Sequence, residues 1–82
     1  MKRKMERLAA QVDELLDCAV FTQELPDDND NDYGYHYFLV FRNTWKIIAR
    51  WRTRREAIEG LQNILDIGYI EDGCIFYRKF PA

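Results

Sequence analysis

The chain has 82 residues, 48% of them apolar and 15% aromatic, with a formal net charge of −2. That length allows one domain, residues 1–82, and a chain this short buries only roughly 60–65% of its unfolded surface. The apolar content excludes wholesale disorder, and no run approaches the ~18 apolar residues of a membrane span.

The first residues, MKRKMERLAA, have the basic start of a secretory leader, but Glu6, Asp13 and Glu14 interrupt any apolar core. From residue 3 to 21, Met5, Leu8, Val12, Leu15 and Ala19 recur at 3-4-3-4 spacing, widened by Leu16 and Val20. This spacing predicts an amphipathic helix. Its charges oppose the helix dipole, with Lys2, Arg3, Lys4 and Arg7 first and Asp13, Glu14 and Asp17 last. Packing must therefore hold it.

Residues 24–34, ELPDDNDNDYG, read as a mobile acidic loop, because Pro, Asp, Asn and Gly disfavour both regular structures. Asp28, Asp30 and Asp32 match the first ligand positions of a calcium loop. Tyr33 then stands where that loop needs Gly, and Leu39 where it needs a bidentate Glu, so the match fails.

YHYFLVFR (35–42) and WKIIARWR (45–52) read as two strands joined by a two-residue turn at Asn43-Thr44. Alternation puts Tyr35, Tyr37, Leu39, Phe41, Trp45, Ile47, Ala49 and Trp51 on one apolar face. His36, Phe38, Val40 and Arg42, with Lys46, Ile48, Arg50 and Arg52, make a second face with an apolar middle and a charged rim. Thr53 and Glu56 form a capping box that opens a second helix, with Ala57, Leu61, Ile64 and Leu65 inward and Ile58 beside them. Gly68 is placed for a left-handed C-cap. CIFYRKF (74–80) is a third strand, and Asp72-Gly73 can turn a small hairpin from Tyr69–Glu71 into it. The expected fold is a small α+β domain in α-β-β-α-β order. Its mostly antiparallel sheet has three strands, or four with that hairpin, packed by two helices.

Charge is segregated along this chain. Residues 22–34 carry five acids and no base, whereas 35–55 carry six bases and no acid. Such fields steer partners. The basic run Arg42, Lys46, Arg50, Arg52, Arg54 and Arg55 suits phosphate contact, yet the pI near 5.3 lies far below the ~9 typical of nucleic-acid domains.

Catalysis finds little footing. His36 is flanked by tyrosines on a strand, with no spacing that pairs it to Cys18 or Cys74. No phosphate loop or nucleophile elbow is present. Two distant cysteines make neither a metal motif nor a disulfide framework, which points to a cytoplasmic protein with reduced thiols. No cofactor or metal is implied.

The expectation is a non-enzymatic protein-interaction module of adaptor or inhibitor type. Its size and charge are those of small inhibitors carried by phages and mobile elements. Tyr37, Trp45 and Trp51, with Asp28, Asp30 and Asp32, are the candidate contacts for an unidentified protein partner. Surplus apolar surface favours a homodimer, and no membrane is involved. Nucleic-acid binding through Arg42, Lys46, Arg50, Arg52, Arg54 and Arg55 is the alternative.

Overall fold

The structure, a computed structural model, describes residues 3–23 and 36–79. The acidic segment 24–34 lies outside them. The protein is a small α+β fold: helix α1 (Lys4–Leu16), strands β1 (Cys18–Thr22), β2 (Tyr37–Phe41) and β3 (Lys46–Trp51), helix α2 (Arg54–Ile67), then β4 (Gly68–Glu71) and β5 (Cys74–Tyr77).

The first helix is shorter than its apolar spacing predicts. Asp17 turns into the left-handed region at φ 56°, and its N–H closes the helix on the Asp13 carbonyl at 3.1 Å. Asp is among the few side chains that enter this region readily. Cys18 to Phe21, expected as the last helical turn, belong instead to the strand Cys18–Thr22. The sequence CAVFT is β-branched and aromatic, and its alternation competes with the helical spacing over so short a stretch.

Strand β1 takes the place expected of the C-terminal strand. The three-stranded sheet has the order β1-β2-β3, antiparallel throughout, while β4 and β5 make a separate two-stranded sheet. Asp72 and Gly73, with φ of 53° and 74°, form the primed turn that suits such a hairpin. Arg78 N–H ties it back to the Ile67 carbonyl at 2.7 Å.

The β2–β3 connection also differs from expectation. Phe41 pairs with Lys46, so four residues, Arg42 to Trp45, make the turn rather than Asn43-Thr44 alone. Trp45 leaves the strand at φ 56°, and its N–H donates to the Phe41 carbonyl at 2.7 Å. Leu39 pairs with Ala49 but Val40 with Ile47, so Ile48 is the extra residue of a β-bulge. The bulge breaks the simple alternation. Ile47 joins Val40 on the outer face, and Ile48 packs against the core.

The core lies between the inner sheet face and both helices. Met5, Leu8 and Val12 from α1 meet Ala57, Leu61 and Ile64 from α2 over Cys18 and Leu39. Leu15, expected on the buried stripe, is 69% exposed, and Leu16 packs against the core in its place. At the start of α2, Glu56 N–H donates to Thr53 Oγ1 at 3.1 Å. The Glu56 carboxylate accepts from Arg52 N–H at 3.2 Å, one residue before the expected Thr53 N–H. Gly68 is not a left-handed cap. Its φ is −83°, and glycine fits there because a Cβ would sit 2.6 Å from the Ile64 carbonyl oxygen.

Candidate protein-interaction surface

The surface that stands apart is the outer face of the β1–β2–β3 sheet. Residues paired across antiparallel strands share a face. Phe21 pairs with Phe38, Ala19 with Val40, Val40 with Ile47, and Phe38 with Arg50. None of Ala19, Phe21, Phe38 or Ile47 belongs to the core or packs against it. Phe21 and Ile47 are 47% and 43% exposed, while Val40 is buried in their midst. These side chains form an apolar strip across the three strands.

The apolar middle and charged rim of that strand face are visible in the sequence, whereas helical spacing takes in Phe21 and alternation sets Ile47 on the opposite face. The Asp17 turn and the Ile48 bulge, which alternation does not announce, bring both residues to the outer face.

Of the aromatic candidates, Trp45 stands 66% exposed in the turn. Tyr37 and Trp51 are cross-strand partners on the inner side, half-buried against the core. The aspartates 28, 30 and 32 lie outside the described residues.

The basic residues do not form one cluster. Arg42 Nη2 binds Asp13 Oδ2 at 2.8 Å, and Arg55 Nε binds Glu59 Oε1 at 3.3 Å. Lys46 lies beside the turn and Arg50 opposite Phe38. Arg54, at the start of α2, lines a cleft with Lys4, Arg55, Ile58 and Glu59. From Lys46 to Arg52 the strand travels about 20 Å.

Two further grooves are shallow. One, of about 750 Å³, runs past Trp51 with Glu56, Glu59 and Asp66 on its walls. The other, of about 440 Å³, lies between Ala9, Ala10 and Asp13 of α1 and Ala19, Val20 and Phe21 of β1. Among the described residues, no group of three His, Cys, Asp or Glu converges as a metal site requires. No described helix is long and apolar enough to cross a membrane.

The two cysteines are free, Cys18 buried and Cys74 exposed. Burial, with Asp17 and Asp13 adding to it against Arg42, pushes the Cys18 thiol from 9.0 up to about 11. Its Sγ donates to the Leu16 carbonyl at 3.4 Å. A thiol held protonated is a poor nucleophile. The register also separates it from His36, which lies opposite Gln23, five residues further along β1 from Cys18.

Comparison with protein-family models, with curated proteins and with solved structures finds no match to this chain.

Proposed function

We propose that this chain is a non-enzymatic protein-interaction module of adaptor or inhibitor type. The observation that supports it is the outer sheet face, where Phe21 and Ile47 stand exposed around Val40 and beside Phe38. Apolar and aromatic side chains of this kind are where binding energy concentrates, with a charged rim supplying register. Trp45, exposed at the end of the same sheet, is a further anchor.

The reading extends to self-association along β1. Gln23 N–H points to His36 of β2, so alternation directs the N–H groups of Val20 and Thr22 away from β2. That edge carries no Pro and no charge within CAVFT, the devices that blunt edge pairing. Light scattering at micromolar concentration is expected to give a dimer mass. Thr22→Pro, which removes an edge donor, is expected to give a monomer of 9.9 kDa.

Nucleic-acid binding through Arg42, Lys46, Arg50, Arg52, Arg54 and Arg55 is the second reading, favoured by the absence of acids from strands β1 to β3. The ion pairs of Arg42 and Arg55 and the spread of the others along β3 weigh against it. Titration of labelled DNA and RNA at ~50 and ~200 mM salt separates the two classes, because phosphate contacts weaken steeply with salt. The expected result is no tight complex at the higher salt. A strong complex there reverses the order of the two readings.

A further inference from the structure

We infer that the outer face of the β1–β2–β3 sheet receives an acidic amphipathic helix of a different protein. This rests on the interaction reading above and adds the chemistry of the occupant. The three strands carry two charged residues, Lys46 and Arg50, both basic. Neither makes an ion pair among the described residues. Arg50 sits directly opposite Phe38, so a ligand on the face meets an aromatic ring and a cation without an ion pair among the described residues, side by side. An apolar side chain flanked by a carboxylate satisfies both.

Charge also discriminates among occupants. A second copy offering the same face brings another Arg50 and no strand acid, since Lys46 pairs with the core-packed Phe41 on the inner side. A nucleic-acid backbone satisfies Arg50 but leaves Phe21, Val40 and Ile47 facing phosphate and sugar. An acidic helix answers the whole face.

The dimensions agree. Three strands place their outer axes roughly 10 Å apart and run about 17–20 Å. A helix about 10 Å across and ~12 residues long covers that area. The inner face of the same sheet is already packed by two helices, so a helix outside completes a three-layer arrangement.

The probes are two synthetic peptides of about 14 residues with Leu at helical spacing. One carries Glu on its flanks and the other Lys. Binding to the full chain is read by fluorescence anisotropy, and the site by amide NMR shifts. The Glu peptide is expected to shift Phe21, Phe38, Val40 and Ile47, and the Lys peptide to bind at least about tenfold more weakly at low salt. Arg50→Glu is expected to narrow or invert that preference. Ile47→Ser, at an exposed position and checked by circular dichroism, is expected to weaken the Glu peptide. Equal binding of both peptides at this face, unchanged by Arg50→Glu, overturns the inference and leaves the interaction reading standing. If neither peptide shifts the face, both fall. Shifts of Phe38, Val40 and Ile47 on concentrating the protein alone, beyond those of the β1 edge, assign the face to a second copy. Shifts produced only by a DNA or RNA oligomer assign it to nucleic acid. Either result overturns the inference.

Discussion

The indole of Trp51 lies close against Gly60, where a Cβ would fall well inside van der Waals contact with Nε1 and Cε2. This contact fastens the end of β3 onto α2. Glycine in a helix interior costs about 1 kcal/mol relative to Ala, so the position trades propensity for close packing. Gly60→Ala is therefore expected to destabilise the fold by about 1 kcal/mol net, because overpacking costs ~1–3 kcal/mol. Urea denaturation measures this. Trp51→Leu in the same chain is expected to remove the penalty; if it persists, the contact is not its cause.

Gly68 is the harder case. A Cβ there meets backbone, at 2.6 Å from the Ile64 oxygen and 2.8 Å from its Cα. Backbone of a helix end yields less than an indole. Gly68→Ala is expected to lower stability by about 2–3 kcal/mol, more than Gly60→Ala. The reverse ranking in thermal melts contradicts the packing described.

The Thr53 hydroxyl accepts one of the otherwise unpaired N–H groups of α2. Thr53→Ala is expected to cost about 1 kcal/mol and Thr53→Ser much less. Equal losses for the two variants would place the effect in the methyl group instead.

Leu15 tests the end of α1. With the side chain exposed, Leu15→Lys is expected to change stability by no more than about 0.5 kcal/mol. A basic residue near a helix C-terminus is also favoured by the dipole. A loss of several kcal/mol would restore the longer helix that the apolar spacing suggests.

The Cys18 thiol sets an alkaline limit. Its value rises from 9.0 to about 11 on folding, so the unfolded chain ionises it first. The contribution is fully present below about pH 9 and is lost as pH rises through about 11, up to roughly 2–3 kcal/mol. Urea denaturation from about pH 8 to about pH 11 is expected to show a steeper loss for the native chain than for Cys18→Ala. Parallel curves for the two proteins would exclude the thiol as the source.

The sequence by itself determined the α+β class, the second helix with its Thr53 start, the β2–β3 hairpin and the small hairpin at Asp72-Gly73. Those features rest on local chemistry: an N-cap hydroxyl, an apolar stripe at helical spacing, alternation over several residues and a turn dipeptide. Only tertiary structure decided that Cys18–Thr22 is a strand. Val20 and Cys18 gain more by facing the core beneath β2 than by adding one turn to a helix whose charges already oppose its dipole. It likewise decided which strands share a sheet, since CIFY pairs with the strand beside it in sequence and leaves the distant edge to β1. The Ile48 bulge is the clearest instance. One extra residue turns Ile47 outward beside Val40 and Phe38, and so makes the candidate surface, because side chains in a strand change face with every single-residue shift in register.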